Sequence, residues 1–163
     1  MGFESFRVEL RGGPRSHAEV EEVIRGLPHA RTDHESIGSC GSTYYTVNDA
    51  AHIIEVEVAT SPLRVSCRFT LCHPESIDSV FLALVGELMS RLGMEARICD
   101  DVLPHHTQGF SIVKFSELSN VASRSISARR SEWVENFGPA QACATTAEAF
   151  ERFILPRCVP VVG

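Results

Sequence analysis

Between Ile77 and Leu92 the apolar residues Ile77, Val80, Phe81, Leu84, Val85, Leu88, Met89 and Leu92 return every three or four positions. That period predicts a helix with one continuous apolar stripe, and Gly93 stands where a helix end favours a left-handed residue. Such a stripe must be covered by something equally apolar. The rest of the chain offers period-two segments for that purpose, in which alternate side chains leave opposite faces of a strand.

Five such segments can be read: FESFRVELR at 3–11, TYYTV at 43–47, HIIEVEVA at 52–59, LRVSCRFTL at 63–71 and MEARICDDV at 94–102. Alternation assigns Phe6, Val8, Leu10, Tyr45, Val47, Ile54, Val56, Val58, Leu63, Val65, Cys67, Phe69, Leu71 and Ile98 to a face beneath the helix. The opposite face carries Arg7, Glu9, Arg11, Tyr44, Glu55, Glu57, Arg64, Ser66, Arg68, Thr70 and Arg97. A two-residue hairpin loop at Thr60 and Ser61 would set Glu57 opposite Arg64 and Glu55 opposite Ser66.

Ser16 and Glu19 have the spacing of a capping box ahead of Val20, Val23, Ile24 and Leu27, so a first helix is expected up to Pro28. Residues 29–42 are polar, contain glycine and lack a period, which reads as a loop. Phe115, Leu118, Ala122, Ile126, Trp133 and Phe137 form a narrower helical stripe ending at Gly138. A short last helix is expected after TTAE at 145–148, running through Phe150, Phe153 and Ile154 to Pro156. On the longer helix from Phe115 to Phe137, Arg124, Arg129 and Arg130, near Glu132 and Glu135, read as a solvated face.

The order β-α-β-β-β-α-β-α-α predicts an α+β layer fold in one domain, residues 1–163: a mostly antiparallel five-stranded sheet with helices packed on one face. In topology it resembles a ferredoxin-like split unit with an added strand. A topology of that kind hosts many functions, so function has to be sought in particular residues.

The net charge of −6 opposes a role in neutralising phosphates, and no nucleic acid partner is expected. The longest apolar stretch, VFLALVG, falls far short of the ~20 residues of a membrane span, so no membrane partner is expected either. The start MGFESFRVEL lacks a basic segment followed by an apolar one, which predicts a soluble, cytoplasmic, bacterial-type protein. The six cysteines are then expected as free thiols. Phosphate-loop, dinucleotide, zincin, hydrolase-elbow and paired C-x-x-C signatures are all missing, and no cofactor is expected.

Three short stretches could carry chemistry. Cys40 lies between glycine-bearing residues in GSCGSTYY, a turn that frames some nucleophiles, although a flexible loop accounts for it more simply. Cys72 and His73 lie where a strand passes into the main helix, with Ser76 as N-cap and His73 as an exposed connector. Asp100, Asp101, His105 and His106 include ligand types for a divalent ion, yet adjacent histidines in extended chain point apart. The reading with the most behind it is a non-catalytic interaction module that binds another protein, or itself, through Arg7, Tyr44, Glu55, Glu57, Arg64 and Arg68. The alternative is a small-ligand enzyme using His73, His105 and an aspartate from Asp100 and Asp101 as acid and base.

Overall fold

The computed structural model describes residues 5–32, 41–49, 51–71, 73, 75–100 and 109–137. Along the chain these form strand β1 (Ser5–Arg11), helix α1 (His17–Arg25), strands β2 (Ala30–Thr32), β3 (Thr43–Asn48), β4 (Ile53–Thr60) and β5 (Leu63–Thr70), helix α2 (Ile77–Leu92), strands β6 (Glu95–Asp100) and β7 (Gly109–Val113), and helix α3 (Leu118–Phe137) after a single 3₁₀ turn at Phe115–Glu117. The strands make one sheet in the order β2-β3-β4-β5-β1-β6-β7, and every neighbouring pair is antiparallel. This is an α+β fold of the expected class, with seven strands in place of five.

The two additional strands are the edges of the sheet. β2 has only three residues and lies in the segment expected as a loop, too short to display a period. β7 hides its pattern because Ile112 points away from the core and is 59% exposed, while its neighbour Val113 is buried. The polar-apolar alternation that marks a half-buried strand is therefore absent.

Face assignment by alternation holds across the sheet. Phe6, Val8, Leu10, Tyr45, Ile54, Val56, Val58, Val65, Cys67, Phe69, Leu71 and Ile98 are all buried, and Val47 and Leu63 pack against them. Helix α2 seals this face with Ile77, Phe81, Leu84, Val85, Leu88, Met89 and Leu92. Phe6, Phe69 and Phe81 meet at its centre with ring centroids 4.8 to 5.9 Å apart in tilted and edge-on arrangements, as aromatic quadrupoles prefer. Gly93 ends α2 at φ 64°, as its position predicts.

Helix α1 opens on the expected capping box: Ser16 accepts from the Glu19 N–H, and the Glu19 carboxylate accepts from the Ser16 N–H at 2.7 Å. These bonds hold the Glu19 carboxyl below its ordinary range. A lowered folded value means that the box stabilises the helix above the ordinary carboxylate pKa, and that this contribution fades as pH falls through the lowered one. Ser16→Ala is expected to cost about 1 kcal/mol in urea denaturation at pH 7, and less at pH 3.

Helix α3 returns along α2. Phe115 comes so close to Gly86 that a Cβ there would meet its ring at 3.2 Å, and at the other end Arg130 grips the Asp78 carboxylate, with one bond of 2.7 Å. Leu118, Ala122 and Ile126 are buried as expected, but Phe115 is 62% exposed, since it belongs to the turn ahead of the helix. Arg124 is exposed as expected, but Arg129 and Arg130 correct the solvated reading: Arg130 pairs with Asp78, and Arg129 is buried and donates to the Ser5 carbonyl at 2.9 Å, tying the helix to β1. Sequence spacing placed both on the polar side of a helix whose neighbours it did not show. The helix expected after residue 145 lies outside the described residues.

One register differs from expectation. The β4–β5 hairpin turns at Ser61 and Pro62, so Thr60 pairs with Leu63, Glu57 with Ser66 and Glu55 with Arg68. Proline has no N–H to give to a ladder and takes the turn instead. The shift is two residues, which leaves every side chain on its assigned face.

Candidate functional site

The helices leave the second face of the sheet uncovered by any described element, and this is where the charged residues collect. Antiparallel pairing aligns them into rows perpendicular to the strands. One row runs Tyr44, Glu57, Ser66, Glu9, Arg97 and Ile112. Two residues away, another runs Thr46, Glu55, Arg68 and Arg7. On the opposite side of the first, Ala59, Arg64, Arg11 and Glu95 form a third.

All six residues expected to form the binding surface, Arg7, Tyr44, Glu55, Glu57, Arg64 and Arg68, therefore lie on one face. Arg7 is exposed and the other five are half-buried. Arg68 bonds the Glu55 carboxylate through Nε at 2.6 Å, and Arg64 stands 3.8 Å from Glu57. Glu9 is buried at 6% exposure on this nominally wet face and pairs with Arg11.

The electrostatics of the face are unbalanced in a specific way. Arg7 lies directly opposite Arg68, and Arg11 directly opposite Arg64. Like charges set opposite each other across a ladder work against the sheet. Within the second row Glu55 serves Arg68, and among the described residues neither Arg7 nor Arg97 has a carboxylate partner. The Nε atoms of Arg64 and Arg97 are buried without a hydrogen bond.

Arg97 and Ile112 extend this surface beyond the six expected residues. Arg97 was readable from the alternation of β6, whereas Ile112 was hidden with its strand. Beside it, at the sheet edge, lies an apolar groove of about 350 Å³ lined by Met89, Met94, Ile112, Val113 and Phe115.

The residues of the alternative acid–base cluster are less accessible to comparison. His73 is a correction: it is 4% exposed and not a surface connector. Its Nε2 accepts from the Ile53 N–H at 3.1 Å and its Nδ1 donates to the Thr70 carbonyl at 2.8 Å, so the ring stitches β4 to the end of β5. Asp100 ends β6, two strands from β5 across β1, or about 10 Å at the usual strand spacing. Cys40, Cys72, Asp101, His105 and His106 lie outside the described residues. Cys67 is a free thiol in the core, pushed up to about 12 by burial, and is therefore inert at neutral pH.

Among the described residues no group of three or more His, Cys, Asp and Glu side chains is arranged to hold a metal ion, and no helix is long and apolar enough to cross a membrane. Comparison with protein-family models, with curated proteins and with solved structures finds no match for the chain.

Proposed function

We propose that the charged sheet face, which no described element covers, is a non-catalytic docking surface for an acidic segment of another protein. The observation that carries this reading is the pair of directly opposed arginine couples, Arg7 with Arg68 and Arg11 with Arg64, on a chain whose overall charge is negative. Each couple offers guanidinium groups that suit a carboxylate in bidentate fashion, and the two couples lie four residues apart along β1, roughly 13 Å. A partner presenting carboxylates at that spacing, four residues apart on an extended strand, would supply Arg7 with a carboxylate and add to the pairing that Glu55 gives Arg68 and Glu9 gives Arg11. Tyr44 and Ile112 supply amphipathic and apolar rim contacts of the kind interfaces use. The intervening glutamates confer selectivity, since a partner with the wrong charge pattern is repelled. The free thiol of Cys67 is compatible with a reducing setting.

The experiment is a titration of the full chain with a labelled extended peptide carrying glutamates four residues apart, set against a scrambled lysine peptide. The acidic peptide is expected to bind, to weaken several-fold between about 0.05 and 0.3 M salt because the contacts are screened, and to lose at least tenfold in affinity to the variant Arg7→Glu/Arg68→Glu. Equal affinity for the two peptides, or an unchanged affinity in the folded variant, rejects the reading. Sedimentation velocity on the same samples reads self-association through this face, which the charge reversal would also abolish.

A further inference from the structure

Away from the charged face, the turn before β4 and the entry to α2 bring a carboxylate, an imidazole and a hydroxyl into one line. His52 Nδ1 lies 3.1 Å from both carboxylate oxygens of Asp49, and its Nε2 lies 2.8 Å from Ser76 Oγ. The trio comes from two separate parts of the chain: Asp49 and His52 lie three positions apart in one turn, and Ser76 lies 24 positions beyond His52. Their hydrogen bonds fix one tautomer: Nδ1–H donates to Asp49, which leaves the Nε2 lone pair to accept the serine hydroxyl.

Each member is held by contacts that leave this chemistry free. Asp49 Oδ1 accepts the N–H groups of Ala51 and His52 at 2.8 and 2.7 Å, closing the turn around the carboxylate. Burial pushes the Asp49 carboxyl up, but its hydrogen bonds from the His52 ring and these two amides outweigh that and hold it below the ordinary range, so it is ionised at neutral pH. Ser76 stands at the N-cap of α2 yet makes no side-chain cap bond, its backbone being helical (φ −57°, ψ −20°). Its hydroxyl is committed to His52 instead, and the residue is exposed. Between them, buried His73 bonds the Ile53 N–H, next to His52, and sits three residues before Ser76. The two segments are thereby pinned together at the point where the trio forms.

We propose that Ser76 is an acylatable nucleophile activated by His52 and Asp49, acting on small, accessible carboxylic esters. In the first step Ser76 Oγ bonds to the carbonyl carbon as its proton passes to His52 Nε2. The negative oxygen that results develops beside the start of α2, whose positive dipole end adjoins Ser76. The ester C–O bond then breaks, and the departing alkoxide takes the proton from His52. Water attacks the acyl-serine, gives its proton to His52, and the serine leaves with that proton, restoring the starting state. An exposed serine suits a small, accessible ester and makes no demand on the leaving alcohol.

The test treats the full chain with a serine-directed fluorophosphonate carrying a reporter, followed by intact mass and peptide mapping. Attack by Ser76 forms an O–P bond and expels fluoride, so one adduct at Ser76 is expected. It should be absent from Ser76→Ala and at least tenfold slower in His52→Gln and Asp49→Asn, all of them confirmed folded by circular dichroism. Ser76 forms no cap bond, so Ser76→Ala is expected to fold as the parent does, and Asp49→Asn keeps an acceptor for the turn if His52→Gln does not fold. No adduct above that of Ser76→Ala, or an adduct at Ser76 whose rate is indifferent to both His52→Gln and Asp49→Asn, overturns the proposal.

Discussion

Phe81→Ala is expected to lower the unfolding free energy by about 3–5 kcal/mol, the usual range for truncating a buried phenylalanine. The ring is fully buried and touches both Phe6 and Phe69, so its removal opens a void between α2 and the two central strands β1 and β5. The strands beneath are hydrogen-bonded on both sides and cannot collapse into the gap, which places the cost toward the upper end. Total stability for a domain is typically about 5–15 kcal/mol, so the variant would retain little margin. Urea denaturation checks this through the midpoint, which should fall by more than 1 M at an m-value of about 2 kcal/mol/M. A shift within experimental scatter would mean that α2 does not seal the sheet through this cluster.

His73→Leu is expected to cost about 2–4 kcal/mol by a different mechanism. Leucine fills much of the space but leaves the Ile53 N–H without an acceptor, which costs about 1–3 kcal/mol, and removes the ring's bonds to the Thr70 carbonyl and hydroxyl, of which the carbonyl keeps the His73 N–H. The loss should be local as well as global. Amide hydrogen exchange at Ile53 should accelerate before the neighbouring strand residues do, and His73→Gln should recover part of the stability by offering an acceptor again. Equal stability of His73→Leu and the parent would remove the stitch between β4 and β5 that also sets the distance from His52 to Ser76. Fluorophosphonate labelling of folded His73→Leu should accordingly be slower than that of the parent.

The two predictions draw on signals of unequal visibility. Phe81 was legible in the chain, because a 3.6 period is a local property that survives whatever the helix packs against. His73 was not, since the same residue type at a strand end suits an exposed connector as well as a buried one. Only the spatial neighbours, Ile53 and Thr70, decide between them. Arg129 repeats the point: its place on the polar side of α3 suggested water, and a carbonyl 124 positions away supplies its actual partner.

For the candidate surface, the alternation of β1, β3, β4 and β5 was enough to put the six expected residues on one face. It did not set which residues face each other across strands, because moving the hairpin by two residues preserves the side of every side chain. That shift sets Glu55 opposite Arg68 in place of Glu57 opposite Arg64, and the separate register of β1 on β5 sets arginine opposite arginine. The meeting of Asp49 and His52 with Ser76 lay further from view, as it depends on the path of the chain between β5 and α2 and not on any period.

The chain by itself determined which side chains go in and which go out, since the repeat of two or 3.6 residues acts over a few neighbours and needs no partner to be defined. Tertiary structure alone decided what each outward or terminal polar group meets: strand register, the edge strands β2 and β7, the buried roles of His73 and Arg129, and the Asp49, His52 and Ser76 line. Those depend on contacts between segments remote in sequence, where hydrogen-bond geometry selects one partner among several of equal local propensity.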